Sequence, residues 1–252
     1  MAMKQVPLSG RVVFVDWHGV LSRDPFWASI RESARHPLHA QLEENLSRIF
    51  AGDDANAWMK GRMSSDDVIE AMGIHLDGRF RDDFLRRRLH IDCARMRVNV
   101  ALFEVLRKAK AVALVALATD NMDCFASTFD QVRRSGKRRA KASAKATTMA
   151  EWAFVCDDII YSSNVAALKS EDPATFFGPW LHQHGMAFDD ALLIDDRADN
   201  CAAFQQQGGT ALRWKMGIND TAEVVDGLNR WLEALPHHAA PAASPGIAGY
   251  PL

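Results

Sequence analysis

Cysteine is scarce in this chain, and its placement excludes two classes of protein. Cys93, Cys124, Cys156 and Cys201 are far apart and form no C-x-x-C pair, a pattern of reduced thiols and not of a disulfide frame or a zinc site. An excess of one charge sign is lacking too. Thirty basic side chains against 32 acidic ones leave a net charge of -2, so no global attraction to nucleic acid or to an anionic membrane is expected. No apolar run approaches the roughly 20 residues that span a bilayer. The opening MAMKQVPLSGR has no apolar segment of the secretory kind. These absences lead to the expectation of a cytoplasmic protein that enters no membrane. They also make Asn45-Leu46-Ser47 a chance match to a glycosylation signal.

What is present is ordinary globular material: 48% hydrophobic and 25% charged residues in a chain of 252, enough for one large α/β domain or for a core carrying an insert. Apolar runs of strand length occur at 12–16, 112–120, 159–163, 191–196 and 210–214. Runs so continuously apolar suit parallel strands covered on both faces. Amphipathic stretches alternate with them at 123–133, 172–184 and 198–207, the last stopped by Gly208-Gly209. The fold class expected is α/β, a doubly wound, Rossmann-like parallel sheet.

The first two strands are separated by a stretch far longer than a βα connection. Residues 22–96 therefore read as an inserted helical module, with Ser64 or Ser65 starting one helix, between core segments 1–21 and 97–235. Residues 133–146 carry seven basic side chains and no acid, and read as a solvated loop or an extension of the preceding helix. A nucleic-acid or phosphate-tail contact is the lesser alternative, since there are no interleaved aromatics and no recognised binding module. The Pro, Ala and Gly-rich end, 236–252, reads as disordered, and His237 and His238 within it are weak evidence for a metal.

Asp16, Thr119-Asp120 and Asp195-Asp196 each end an apolar run. In an open α/β sheet the carboxyl ends of the strands share one crevice, which makes these residues neighbours. Several carboxylates together need compensating charge, for which Mg²⁺ and Lys169 are natural partners.

These segments carry a family resemblance. VVFVDWHGVL resembles the first motif of the haloacid dehalogenase-like superfamily, Asp-x-Asp-Gly-Thr/Val after an apolar strand, with Asp16, Gly19 and Val20 matching and His18 in place of the second aspartate. ALATDN resembles the second motif, in which Ser or Thr is usually followed by Asn; Thr119 fits and Asp120 departs. LKSEDPATFF is similar to the lysine motif at Lys169, Asp172, Pro173 and Phe176. LLIDDRADNCAAFQQQGG is similar to the acidic fourth motif at Asp195, Asp196 and Asn200. WMKGRMSSDDVIEAMG resembles the helical cap inserted after the first motif in one subfamily.

The resemblance implies a hydrolase in which Asp16 attacks the substrate, usually at phosphorus, and forms an aspartyl intermediate. Thr119, with Asp120 beside it, and Lys169 would hold the phosphoryl group. Asp16, Asp196 assisted by Asp195, and the main-chain carbonyl of His18 would hold Mg²⁺, with Asn200 in support. His18 would replace the usual acid and base, an imidazole with an ordinary pKa of about 6.5. Arg23, Phe26, Trp27 and Arg35 are candidates to face a small phosphorylated substrate, although Trp27 and Phe26 read more readily as packing inside the insert. Two relatives also lack the second aspartate. The haloacid dehalogenases usually lack paired acids like Asp195-Asp196, and the phosphonoacetaldehyde hydrolases need a cap lysine, whereas Lys60 reads as solvated. The competing function is a catalytically silent member that keeps its crevice to bind a ligand or a protein.

Overall fold

The computed structural model describes residues 10–136, 148–152 and 156–234. The segment expected to be a disordered tail, and all of the basic segment beyond position 136, lie outside them. Val12, Val13, Phe14 and Val15 suit a pleated backbone, are fully buried, and form the central strand β1 (Val12–Val15). With β2 (Leu114–Thr119), β3 (Asp158–Tyr161), β4 (Ala191–Asp195) and β5 (Thr210–Arg213) it builds one sheet, in the order β3-β2-β1-β4-β5 with every neighbouring pair parallel. This is the doubly wound α/β sheet that the sequence predicts.

Two strand boundaries differ from the expectation by two residues, and the others by one at most. Val112 is 46% exposed in the turn after the preceding helix, so β2 begins only at Leu114. Ser162 and Ser163 leave the strand to open a short helix, because the chain turns at Tyr161.

Between β1 and α6 (Val100–Ala109) lie α1 (Ala28–Arg31), α2 (His39–Ala51), α3 (Asp54–Met59), α4 (Ser65–Met72) and α5 (Phe84–Ala94). Ser64 starts α4 with a capping box: its side chain accepts from the Asp67 N–H while the Asp67 carboxylate accepts from the Ser64 N–H. Gly73, at φ 60°, ends the helix in the left-handed conformation that glycine adopts without steric cost. After β2 come α7 (Asp123–Gly136), α8 (Met149–Trp152), α9 (Ser162–Val165), α10 (Pro173–Gln183), α11 (Ala198–Gln206) and α12 (Thr221–Ala234).

Strand alternation divides the core in two. Val13, Val15, Val115, Leu117 and Ile194 face α6, α7 and the inserted helices, whereas Val12, Phe14, Ala116 and Leu193 face Phe177 of α10 and Phe204 of α11. Trp27, Trp58, Leu42 and Leu89 of the insert belong to the same apolar cluster as Trp17 and Phe125, so the insert is packed against the sheet's helical layer. Among the described residues no helix is long and apolar enough to cross a membrane.

A polar junction fixes the insert to the start of α7. The Asp123 carboxylate accepts from Trp58 Nε1 (3.0 Å), Ser65 N (3.1 Å) and Ser65 Oγ (2.5 Å). Asp123→Ala would leave those donors short of an acceptor in a partly buried place, and is expected to cost about 1–3 kcal/mol in urea denaturation. An unchanged midpoint would show that the junction contributes nothing.

Candidate active site

Strands β1, β2 and β4 each deliver a polar residue to the same end of the sheet. The Asp16 N–H donates to Ile194 O (3.0 Å), continuing the β1–β4 register and setting Asp16 beside Asp195 at the end of β4. Lys169, beyond β3 and α9, reaches in with a fully buried side chain. Its Nζ donates to Asp16 Oδ1 (2.9 Å), Asp195 Oδ2 (2.6 Å) and Ala118 O (3.1 Å), so all three ammonium protons have acceptors. The Asp120 carboxylate accepts from the Lys169 main-chain N–H (3.1 Å) and anchors the lysine from its own backbone.

Acid outweighs base here. Burial pushes the Asp16 carboxyl up to about 7, with Lys169 pulling it down and Asp195 adding to the rise. Asp120 and Asp196 are raised as well, each chiefly by burial. Lys169 is raised despite its burial, because Asp16, Asp195 and Asp120 surround it. Carboxylate oxygens of Asp16, Asp195 and Asp196 all lie within 4.8 Å of one another. Those of Asp195 are already taken up by Lys169, Asn200 Nδ2 (3.1 Å) and the Arg197 N–H (2.9 Å), whereas Asp196 is only partly buried. Gly19, at φ 86°, lets the Asp16 loop pass beneath Asp196: a Cβ there would come within 2.4 Å of the Asp196 carboxylate.

His18 does not keep the ordinary imidazole pKa from which the sequence reading starts. Burial pushes its pKa down to about 4, against a smaller upward pull from Asp24, so it is neutral at pH 7. Its ring packs edge-on against Phe26 of the insert (5.4 Å between centroids), with Nε2 3.3 Å from Asp24 O and Nδ1 3.3 Å from Asn121 Nδ2. Burial raises Asp24 as well, but Arg97 outweighs it: the guanidinium (Nη2 to Oδ1, 2.6 Å) and the Arg97 N–H (2.7 Å) hold this carboxyl below its usual range.

The structure gathers Asp16, Thr119, Asp120, Lys169, Asp195 and Asp196 at one end of the sheet, with Asn200 behind Asp195. Trp27 is elsewhere: fully buried, with its Nε1 donating to Leu85 O (2.8 Å), it belongs to the interior of the insert. Arg23 is exposed and lies against Gly217 beyond β5. Lys60 differs from the solvated side chain expected. It is ion-paired with Glu171 near Lys169 and only 15% exposed, beside Gly61 (φ 67°), which packs so closely on Ser163 that a Cβ would meet that carbonyl at 2.3 Å.

Sequence reasoning passed over Asn121, Ser162 and Asp24. Asn121 had a signal, since it is the asparagine of the second motif displaced by one position. Ser162 had one as well, being a polar residue at the end of the apolar run 159–163.

By sequence, no protein-family model and no curated protein matches the chain. By structure it is similar to a predicted haloacid dehalogenase-like hydrolase from Porphyromonas gingivalis (TM-score 0.60, 12% identity, 86% of this chain and 97% of that one). It is similar also to a haloacid dehalogenase family enzyme from Bacteroides thetaiotaomicron in complex with magnesium and inorganic phosphate (TM-score 0.56, 15% identity, 84% of this chain and 98% of that one). A third similar structure is the L-2-haloacid dehalogenase of Xanthobacter autotrophicus (TM-score 0.53, 12% identity, 86% of this chain and 87% of that one). The order of its strands, the acids and the lysine at their ends, and these neighbours together give the chain the haloacid dehalogenase-like fold.

Proposed function

We propose that the protein is a Mg²⁺-dependent phosphatase of a small phosphorylated metabolite, working through an aspartyl-phosphate on Asp16. One observation carries this reading: a buried carboxylate and a buried ammonium 2.9 Å apart, Asp16 and Lys169, beside two further carboxylates at the ends of parallel strands. Four acids around one lysine leave negative charge that a hard cation with oxygen ligands would neutralise, so the donor set fits Mg²⁺. Asp16 and Asp196 would hold it with the main-chain carbonyl of His18, and Asp195 would orient Lys169. When bound, Mg²⁺ polarises phosphoryl oxygens. The similarly folded Bacteroides enzyme, solved with magnesium and inorganic phosphate, supports this reading of the acids.

In the proposed reaction the Asp16 carboxylate attacks phosphorus as the ester P–O bond breaks and the leaving oxygen takes its proton from solvent, while the Thr119 hydroxyl donates to a phosphoryl oxygen and the Lys169 ammonium balances charge on the transferred group. Water then cleaves the aspartyl-phosphate. His18 stands where the resemblance puts the acid and base. Its ring is neutral at pH 7 and has no proton to spare for a leaving group, and it can take one from that water only if Nδ1 lets go of the Asn121 amide. Residues 22–96 act as a cap, with Phe26 against His18 and Lys60 against Glu171 excluding water from the crevice. Arg23 would act at the rim of the crevice, and Trp27 through the packing of the cap.

A second reading, a silent binding module, is favoured by the commitment of both His18 ring nitrogens to the protein. A panel of phosphate esters with Mg²⁺ separates the two. Turnover by the wild type that a chelator removes is expected; silence in the wild type with activity only in His18→Asp would support the binding module. Mg²⁺ at 100 times its Kd is further expected to stabilise the fold by about 2.7 kcal/mol. Because the Asp16 carboxyl titrates near 7, this gain is expected to be largest at pH 8 and to fade toward pH 5, where protons compete for the same oxygens. Thermal melts with and without Mg²⁺ at the two pH values measure it.

A further inference from the structure

Two side chains of the crevice take their hydrogen-bond direction from one buried amide. Asn121 is wholly buried, and the Met122 N–H donates to its Oδ1 at 3.2 Å. A main-chain N–H can only donate, so the oxygen end of the amide is identified and the NH₂ end must face the other way. That end meets His18 Nδ1 at 3.3 Å and Thr119 Oγ1 at 3.2 Å, one proton for each. His18 Nδ1 is therefore an acceptor. On the far side of the ring, Nε2 faces the Asp24 carbonyl at 3.3 Å, and a carbonyl can only accept. Two unrelated neighbours thus require the same tautomer, with the proton on Nε2 and the lone pair on Nδ1. Thr119 Oγ1 receives a proton from the amide, which leaves its own hydroxyl proton to be given elsewhere.

The amide is also held from behind. The Asn121 N–H donates to Ser162 Oγ (2.8 Å), and Ser162 Oγ in turn donates to Met59 O (2.7 Å), at the end of α3 in the insert. Hydrogen bonds from Met59 through Ser162 thus fix the Asn121 main chain to the insert, and its side-chain amide carries on to the two crevice side chains.

We propose that Asn121 is a positioning residue that sets the hydrogen-bond polarity of the site, presenting Thr119 as a donor and His18 Nδ1 as an acceptor, steadied by the insert through Ser162 and Met59. The geometry stands without the phosphatase reading; the catalytic consequence rests on it. A phosphoryl group offers only acceptors, so Thr119 recognises it only while its proton is free to point outward. Either end of the Asn121 amide could be mimicked by another residue, but a carboxylate in its place has no proton to give.

Long-range ¹H–¹⁵N correlation spectra of the His18 ring test this directly. In the wild type the ring is expected to be protonated at Nε2 alone. Asn121→Asp, nearly isosteric, is expected to move a proton onto Nδ1 and to turn the Thr119 hydroxyl toward the new carboxylate. Binding of inorganic phosphate in the presence of Mg²⁺, followed by calorimetry, should then weaken about tenfold, the loss of one hydrogen bond to a charged group. Asn121→Ala is expected to give a mixture of tautomers, and Ser162→Ala a smaller change in the same direction. An Nδ1-protonated ring in the wild type overturns the proposal without any variant. So does a ring spectrum indifferent to Asn121→Asp or Asn121→Ala in protein that keeps its circular dichroism. The spectra need no turnover, so they decide the proposal even where every ester goes unhydrolysed and the phosphatase reading fails.

Discussion

Asp16→Asn is expected to abolish turnover while making the metal-free protein more stable at pH 8. The first half follows from the role proposed for Asp16: an amide is a poor nucleophile, and loss of such a group lowers kcat on the order of 10⁴-fold or more. The second half follows from burial. The folded-state pKa of Asp16 is raised from 3.8 to about 7, so the folded protein holds a proton that the unfolded chain has released. Stability attributable to this group therefore falls as pH rises from the unfolded value to the folded one, and the full penalty is present above pH 7. Asparagine carries no charge and escapes it, while its carbonyl can still accept from Lys169. Urea denaturation in chelator at pH 5 and pH 8 is expected to show the variant near the wild type at the lower pH and ahead of it at the higher, by on the order of 1 kcal/mol or more. A variant less stable at pH 8 would mean that Asp16 is held by its lysine more strongly than burial opposes it.

Lys169→Met is expected to act in the opposite direction, losing both stability and activity. Methionine fills similar space but leaves Asp16 and Asp195 without the ammonium that both contact, and the removal of one partner from a buried ionic cluster costs about 3–5 kcal/mol. The pKa of Lys169 itself is raised above its unfolded value near 10.5, so its contribution is complete throughout the neutral range and is lost only in strong alkali. The pH dependence of the deficit comes instead from the acids. Below pH 5 Asp16 is protonated and needs no partner, so the deficit should narrow to the part that comes from Asp195; at pH 8 the gap should be widest. Equal denaturation midpoints at pH 8 would contradict the ionic account of the cluster. Together the two substitutions separate the members of a contact 2.9 Å long: removal of the acid relieves the fold, whereas removal of the base strands its neighbours.

Much of this site was legible before any coordinates. Asp16, Thr119, Lys169 and Asp196 were readable because each ends or follows an apolar run, and parallel strands bring such ends together whatever the loops do. Gly19 was readable as part of a motif, although the reason for it, the Asp196 carboxylate lying 2.4 Å from where a Cβ would stand, was not. Lys60 misled, since a lone lysine before a glycine carries no mark of the distant Glu171 with which it pairs. Trp27 was readable either as packing or as a substrate contact, and its bond to Leu85 O places it in the interior.

The sequence by itself determined the strand order of chemistry along the chain, the parallel α/β class, and the long helical interruption between β1 and β2. These follow from the period and length of apolar runs, which are properties of neighbouring residues. Only the tertiary structure decided the state of His18. Its pKa is pushed down by burial against a smaller upward pull from Asp24, and its tautomer follows from Asp24 and Asn121, the second of which is 103 positions away. The free energy of an ionisable or hydrogen-bonding group depends on what surrounds it in space and on how much water is excluded, and neither is written in the residues beside it in the chain.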